Sequence, residues 1–570
     1  MLPGDARGKS ISSIVADTEK DAVEEKIEAV KEREATPSDV TESDFYAYHE
    51  RNPGRLILDP EEAKVEFGEE CLKRLKLSKD GSKILWPQPT DDPEDPQNWS
   101  DRRKSFQLVI ITLAAIVPDF DSGIGIASLF QLAKKFNTTT GLINDETSNW
   151  SIFLLGWGSI FAVMLMRRYG RLPILFWSQA GLFCANLLAV SFLVGCTFAP
   201  NLNTFAGMFF TTVVDLQLSA HEMLQQCAAC RRSLEGLYTV TDMYPFHLQA
   251  RKLTIWTMGF IVSPFLSPCV FGFLAARANW RWAYGIGSMY GGFVVLMITF
   301  FMEETLYDRS LPDPRPIPRP RSRVLNRLQC LVGVTGWRMA RYRPRWRTVV
   351  FGCINLIWRP HILSILIFES IIWGFTVGIN TTETVLLAEP RPKGYGFSEY
   401  AIAGTYATPI VATLLGEQIG HYLNDWIMEF CVRRNKGVFE AEMRLWACYF
   451  AVALYVLGFG VLGSSMQRLN IPGLVIGWGL AQCVVVFNTV AVYAYCNDCF
   501  PGSQGEISAL VNLCRTLGGF SVAFYQVPWA TRNGPLQTFG VEAAVVVGLF
   551  FLIVPALQYK GPYLRVSNAP

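Results

Sequence analysis

Apolar blocks of about twenty residues recur along this sequence, and no other feature restricts its fold as strongly. A bilayer core is about 30 Å thick, so a helix crosses it with about 20 apolar residues. Six blocks lie on each side of a long polar loop, which predicts an all-α integral membrane protein made of two six-helix bundles. The twelve predicted spans lie near 105–130, 150–166, 172–195, 204–220, 253–275, 281–302, 361–383, 397–416, 445–464, 471–495, 505–527 and 538–558.

Composition agrees with these blocks, because half of the residues are apolar and only 18% are charged. This balance is too apolar for an ordinary soluble protein. The charge is concentrated in residues 1–104, interpreted as a largely disordered cytoplasmic head with a fraying helix in "DAVEEKIEAVKEREA" and a solvated, extended "PQPTDDPEDPQNWS". The start lacks the apolar core of a secretory signal, so the first span is expected to act as its own signal.

The remaining domain boundaries follow from the predicted spans. They give an N-terminal bundle at 105–302, a loop rich in arginine and proline at 303–360, a C-terminal bundle at 361–558 and a cytoplasmic tail at 559–570.

Lysine and arginine cluster on one side of the predicted membrane, which the positive-inside rule assigns to the cytoplasm. They lie beside spans 1, 2, 5, 6, 8 and 12, so both termini are predicted to be cytoplasmic. The opposite side carries sequons at Asn137 and Asn149, which predict a glycoprotein. Sequons also occur by chance, and a third, at Asn98, lies on the predicted cytoplasmic side.

The step Asp-x-x-Pro occurs twice beside apolar runs, in "TVTDMYPFH" and in "AYCNDCFPG". Asp242-x-x-Pro245 falls between spans 4 and 5, and Asp498-x-x-Pro501 falls between spans 10 and 11. These positions are equivalent in the two halves, which indicates a duplicated six-helix unit of the kind that transporters use for alternating access. The alternative is that both residues are simply common at helix ends.

Several longer segments resemble one family. "TVTDMYPFHLQARKLTIWTMGFIVSPFLSP", "NWRWAYGIGSMYGG" and "YLNDWIMEFCVRRNKGVFEAEMRLWACYF" are similar to the fungal twelve-span branch of the major facilitator superfamily, grouped with drug:proton antiporters. The resemblance covers roughly residues 85–560. It implies the major facilitator fold, a central cavity and proton-linked transport of small organic molecules, with the plasma membrane as the expected location.

The resemblance also implies a cytoplasmic gate after span 2, with the family pattern Gly-x-x-x-Asp-Arg-x-Gly-Arg. In "VMLMRRYGRLP" the gate residues Arg168, Gly170 and Arg171 match, whereas Val163 replaces the first glycine and Arg167 replaces the acid. Such a gate holds a helix-end acid against arginines.

A second copy of the gate follows span 8 in "GHYLNDW", where Asp425 is the acid and Arg433 and Arg434 come after it.

Span 5 carries a version of the antiporter signature, in which the small and proline residues Gly259, Pro264 and Pro268 are expected to allow close helix packing. The alternative is that they are merely tolerated kinks in a membrane helix.

Span 4 departs from the family. The segment "FFTTVVDLQLSAHEMLQQCAACRRSLE" becomes polar after Leu218 and is too long for the joint. We interpret residues 208–235 as foreign sequence in a familiar frame, such as a retained intron. This departure, with the missing gate acid, motivates an alternative hypothesis of a transport-dead or receptor-like membrane protein.

Ionisable residues inside predicted spans are the functional candidates, because they are expensive in a membrane. Glu369, near the middle of span 7, is the predicted proton-linked acid, and the alternative is a Glu paired to a neighbouring helix. Asp119 and Asp121 in span 1 either line the cavity or sit as polar residues at a helix end.

Further candidates lie in the second half. Arg515 requires an acid or a lipid phosphate, and either pairs structurally or contacts substrate. Asn380 and Asn512 either bind substrate or pack as polar residues. The possible aromatic cavity walls, which are equally consistent with core packing, are Trp373, Tyr406 and Tyr493.

Other function classes lack their motifs. There is no phosphate-binding Gly-x-x-x-x-Gly-Lys loop, no His-Glu-x-x-His and no Gly-x-Ser-x-Gly, so neither ATP-driven transport nor an enzyme is expected. Pairs such as Cys496-x-x-Cys499 are read as small apolar residues rather than a metal site. We expect a monomer in the lipid bilayer that moves a small-molecule substrate, uses the proton gradient without a cofactor, and does not bind nucleic acid.

The sequence therefore predicts a proton-coupled secondary transporter, with export favoured over import. The expected substrates are small organic molecules such as xenobiotics, organic cations or fungal secondary metabolites.

Overall fold

The computed structural model divides into two compact units, Met1–Gln88 and Pro89–Pro570. In the first unit, helices α1 (Pro60–Phe67) and α2 (Glu69–Arg74) precede an isolated antiparallel bridge between Leu77 and Ile84. The structure describes residues 60–67, 69–78, 80–85, 87–127, 131, 134, 150–181, 239–277, 281–307, 322–343, 345–392, 394–434, 440–500 and 503–567.

Long helices make up the second unit. Those before the central loop are α3 (Asp101–Ala127), α4 (Trp150–Tyr169), α5 (Phe246–Arg277) and α6 (Arg281–Phe301). The loop contributes α7 (Arg323–Val332), α8 (Val334–Met339) and α9 (Trp346–Ile357). After it come α10 (Pro360–Ala388), α11 (Glu399–Thr405), α12 (Ala407–Arg434), α13 (Trp446–Arg468), α14 (Ile471–Cys499), α15 (Gln504–Asn533) and α16 (Pro535–Ser567).

The predicted spans correspond well to these helices. Nine of the twelve predicted spans coincide with a long helix, span 8 is divided between two helices, the start of span 3 is helical at 172–181, and span 4 lies outside the described residues. Six helical segments are long and apolar enough to cross a membrane by length and composition: Ile255–Arg277, Pro360–Ala388, Ala441–Arg468, Ile471–Cys499, Gln504–Asn533 and Pro535–Gly561. This architecture confirms the all-α membrane fold class.

Span 8 was placed wrongly. The prediction of one span at 397–416 is replaced by the short α11, a break at Tyr406, and α12, which continues to Arg434. The apolar run ends near Gly416, but polar residues can extend a helix whose side chains find partners. Glu417 therefore lies inside the helix rather than in a joint.

The central loop is largely helical where the structure describes it. Arg327 on α7 donates hydrogen bonds to the carbonyl oxygens of Ile298, Thr299 and Met302, at the end of α6. These carbonyls lie in the last turn of a helix, where backbone acceptors lack partners within the helix. The Arg327 guanidinium therefore caps the C-terminal end of α6 and ties α7 to the N-terminal bundle.

The segment before α3 is packed rather than solvated. Asp95 is fully buried and accepts hydrogen bonds from the backbone N–H groups of Thr90 and Gln97, at 3.0 Å each. The Tyr307 hydroxyl, which follows α6, donates to the Asp92 carboxylate at 3.1 Å. The prediction of a solvated segment is thus wrong for this stretch, because its short polar side chains bind neighbouring backbone and the end of α6.

Glycines allow the closest helix crossings. A Cβ on Gly374 of α10 would lie 2.8 Å from the backbone carbon of Gly518 on α15, so neither position has room for a side chain. In α5, a Cβ on Gly259 would lie 2.6 Å from the Thr112 methyl group of α3. Pro264 and Pro268 lie inside α5 without ending it.

Helices from the two halves pack against each other at two places. α4 packs on α15, and α5 packs on α11 and α12. Within the C-terminal half, α10 packs on α15, and α14 lies between α12 and α13. α10, α14 and α15 all contact one another, and the candidate site lies among them.

Candidate functional site

A buried ion pair lies at the centre of the C-terminal half. Glu369 on α10 is fully buried, and its carboxylate lies 3.2 Å from Nε of Arg515 on α15. The same carboxylate accepts hydrogen bonds from Asn488 Nδ2 at 2.8 Å and from the Thr489 hydroxyl at 2.6 Å, both on α14. Two helices, α14 and α15, therefore supply partners to the one acid on α10.

Arg515 is held on several sides. Its Nη2 donates to the Thr489 hydroxyl oxygen at 2.8 Å, and its guanidinium carbon lies 4.0 Å from the centre of the Trp373 ring. Trp373 follows Glu369 by one helical turn, so both face the same way on α10. The Tyr493 ring is 5.7 Å away. Aromatic faces attract a guanidinium, and the contact strengthens without water.

A second acid acts on the same guanidinium. Glu417 on α12 is buried, and it lies close enough to Arg515 for their charges to interact. Arg515 therefore pairs directly with Glu369 and interacts at longer range with Glu417. Sequence analysis missed Glu417 because the predicted span ended one residue before it. The long helix actually begins after Tyr406 and extends to Arg434, and the composition of the segment does not reveal this break.

The remaining predicted site residues lie on α15, α10 and α3 and at the break before α12. Asn512 is one turn from Arg515 on α15 and is buried. Asn380 is eleven residues beyond Glu369 on α10, which is about 16 Å along a helix axis. Tyr406 shares a hydrogen bond with the Thr384 hydroxyl at 2.7 Å. Asp119 and Asp121 lie on α3, but their side chains are outside the described part of the structure.

The predicted gate after span 2 forms a local charge cluster. Arg171 pairs with Asp242, and its backbone N–H donates to the Glu304 carboxylate at 3.0 Å. Gly170 turns the chain between α4 and the helical segment at 172–181 with φ = +101°, a conformation that favours glycine. The first Asp-x-x-Pro step is therefore tied to the gate arginine.

The second gate copy differs from the prediction in its contacts. Asp425 lies 3.8 Å from Arg444, and Arg444 also binds Asp498 at 2.9 Å. Arg433 pairs instead with Glu429, one turn earlier on α12. The ions that meet at this junction are therefore Asp425, Arg444 and Asp498, and Arg434 is exposed at the end of the helix.

An unpredicted ion pair joins the two halves. Arg167, at the end of α4, pairs with Glu506, at the start of α15. The neighbouring Arg168 stacks on the Trp346 ring of α9, with its guanidinium carbon 5.4 Å from the ring centre. Arg167 stands where the family pattern has an acid, and its partner could not be read from the first half alone.

The predicted glycosylation sites Asn137 and Asn149 lie outside the described residues, as does the atypical segment 208–235. Asn98 is described, and its side-chain amide donates to the Thr90 and Asp92 carbonyl oxygens at 2.8 Å each.

Long apolar helices that surround a buried polar cluster are typical of multi-pass membrane transporters. The chain belongs to the Major Facilitator Superfamily, whose family model matches residues 109–523.

Two of the known proteins that are similar to this chain in sequence are fungal transporters. An uncharacterized MFS-type transporter of Schizosaccharomyces pombe is 22% identical over 92% of this chain and 94% of its own length. The efflux pump radE of Floropilus chiversii is 21% identical over 89% of each chain. Among solved structures, the xylose transporter XylE from E. coli, in a partially occluded inward-open conformation, covers 79% of this chain and 99% of its own with a TM-score of 0.51 and 13% identity.

Proposed function

We propose that this chain is a proton-coupled transporter that exports small organic molecules such as xenobiotics, organic cations or secondary metabolites. The observation that carries the proposal is the ion pair between Glu369 and Arg515, buried where α10, α14 and α15 meet. Export is supported by the similarity to a protein named as an efflux pump.

Proton binding to Glu369 is the coupling step. The ionised carboxylate binds Arg515, whereas the protonated group loses this attraction and keeps its neutral contacts with Asn488 and Thr489. Arg515 then keeps its contacts with the Thr489 hydroxyl and the Trp373 ring, so the contact between α10 and α15 changes with each proton. Among the described residues, the buried thiols of Cys448 and Cys496 also lie close enough to Glu369 to interact with it electrostatically.

The nearby crossing of α10 and α15 suits such a change. Gly374 and Gly518 bring the two backbones into direct contact one turn from the ion pair. Rocking of two bundles about a buried site is how transporters with internal repeats alternate access.

The remaining expectations are part of the proposal. The protein is a monomer in the plasma membrane with cytoplasmic termini, driven by the proton gradient without a cofactor. Asn137 and Asn149 then face outward, and glycosidase treatment with Asn137→Gln and Asn149→Gln variants tests this orientation through a change in mobility on a gel.

Coupling is tested with Glu369→Gln, which preserves the size of the side chain and removes its charge. Accumulation of cationic dyes, polyamines and antifungals is measured at two external pH values, in a host that lacks its own pumps. The wild-type chain should lower the accumulation of a compound in a pH-dependent manner, and Glu369→Gln should lose this dependence while reaching the membrane.

The matched control is Glu542→Gln. Glu542 is a buried acid on α16 that accepts hydrogen bonds from Gln526 at 2.9 Å, apart from the Arg515 cluster. Wild-type pH dependence in Glu369→Gln would refute the coupling role of Glu369.

A further inference from the structure

The cluster around Arg515 lacks one positive charge. Glu369 pairs with Arg515 at 3.2 Å, and Glu417 interacts with the same guanidinium at longer range, so the three groups carry a net charge of −1 when all are ionised. All three side chains are buried. An uncompensated charge in a low-dielectric interior is costly, and a proton or a cation removes this cost.

Oxygen atoms beside this cluster have no donor among the described residues. Glu417 Oε2 and Asn488 Oδ1 are buried and accept no hydrogen bond there. The Thr413 hydroxyl is also unpaired, and it precedes Glu417 by one turn on the same face of α12. Buried acceptors normally have partners, and either water or the N–H and O–H groups of a ligand can supply them.

Helix packing gives Glu417 a fixed position. A Cβ on the preceding Gly416 would lie 2.7 Å from the carbonyl oxygen of Cys483, so α12 lies directly against α14 at this level. Gly420 meets Phe487 of α14 in the same way one turn later. The carboxylate is therefore held on a rigid helix pair, as a binding group should be.

We propose that Glu417 is the binding carboxylate for a monovalent organic ammonium ion, whose N–H groups also reach the oxygens of Asn488 and Thr413. The inference rests on the proposed function, because it takes the cluster around Arg515 as the substrate site. It narrows the substrate class to amines that carry a positive charge. The proton carried by Glu369 and the ammonium ion bound by Glu417 each supply the missing charge, and this makes their exchange electrostatically balanced.

Binding to the purified full chain in lipid nanodiscs tests the inference without any gradient. The probe is dansylcadaverine, a fluorescent primary ammonium ion, and the matched probe is its N-acetyl form, which lacks the charge. The wild-type chain should bind the ammonium form about tenfold more tightly or better, a difference expected from a single charge-assisted contact. Equal affinities for the two probes, or no binding, would overturn the inference even if no variant folds.

Variants then locate the contact. Glu417→Gln should abolish the preference for the ammonium form, and Glu417→Asp should retain part of it. Glu542→Gln, which changes a buried acid elsewhere in the same half, should keep the full preference. A preference that survives in folded Glu417→Gln would show that another group binds the ammonium ion.

The two proposals fail separately. Loss of proton coupling is read from transport by Glu369→Gln, whereas the charge preference is read from binding at equilibrium. If Glu369→Gln transports with wild-type pH dependence while Glu417→Gln loses the preference, the coupling proposal is wrong and the ammonium site stands.

Discussion

The two Asp-x-x-Pro junctions are built on the same plan but are closed differently. In each half the aspartate binds an arginine at the start of an earlier helical segment: Asp242 binds Arg171, which precedes the segment at 172–181, and Asp498 binds Arg444, which precedes α13. The first pair is the more enclosed, with 9% of the Arg171 side chain and 17% of the Asp242 side chain exposed.

The second junction is more exposed to solvent and includes a third charged residue, Asp425. Arg444 and Asp498 have 15% and 24% of their side chains exposed, and Arg444 also faces Asp425, which is 53% exposed. The difference indicates that the first junction works as a fixed clamp, because enclosed pairs are costly to break. The second works as an adjustable one, because exposed ion pairs contribute little individually. In the sequence, Glu506, which pairs with Arg167 and so joins the two halves, follows shortly after the second junction.

Charge reversal at this contact should have the largest effect. Glu506 is almost fully buried, so Glu506→Arg places a second cation against Arg167 and should cost about 3–5 kcal/mol of contact between the halves. Cys353 on α9 is a natural reporter, because its thiol is buried and Arg167 acts on its charge. Maleimide labelling of Cys353, located by peptide mass spectrometry, should become faster.

The double variant Arg167→Glu with Glu506→Arg is the control. It restores opposite charges and should bring the labelling rate back toward that of the wild type. Labelling that stays fast in the double variant would show that side-chain size, not charge, holds the halves together.

Breaking the enclosed clamp should have the next largest effect. Asp242→Asn leaves Arg171 nearly buried without its anionic partner, and we expect a loss of about 2–4 kcal/mol in stability. Thermal unfolding of the purified protein, followed by tryptophan fluorescence, measures this loss.

The equivalent change in the second half should cost less. Asp498→Asn leaves Arg444 with Asp425 and with more water, so we expect a loss of about 1 kcal/mol. The same unfolding assay compares the two variants directly, and a larger loss for Asp498→Asn than for Asp242→Asn would reverse the assignment of fixed and adjustable clamps.

Removal of the outermost charge should have the smallest effect. Asp425→Asn loses an exposed contact at 3.8 Å, for which about 0–0.5 kcal/mol is expected. Its effect should shrink further when salt is raised, since salt screens exposed charges. An effect that is independent of salt would show that Asp425 contributes other than through its charge.

Sequence analysis predicted the positions of the helices better than the side-chain contacts between them. Apolar length placed most spans, and the equivalence of the two Asp-x-x-Pro steps was visible because duplication preserves position relative to the spans. Arg515 was expected to need an acid and Glu369 a role inside the membrane. Their pairing depends on the crossing of α10 and α15, which no local pattern encodes.

Sequence analysis missed the roles of two residues, Glu417 and Arg167, for a related reason. Glu417 follows the last apolar residues of its block, so a hydropathy window ends before it although the helix continues. Arg167 looked like a defect in the first gate motif, because its acid, Glu506, is supplied by the other half. Motifs that are completed across a duplication cannot be judged from one copy.

The Arg327 cap makes it possible to measure the movement of the N-terminal bundle with a label on α7. Because its guanidinium holds three carbonyl oxygens at the end of α6, α7 and the N-terminal bundle form one piece at this point. A spin label on the exposed Leu328 therefore reports the position of that bundle. Paired with a label on the exposed Arg434, it gives a molecular ruler for the two halves, with no probe inside the transport path.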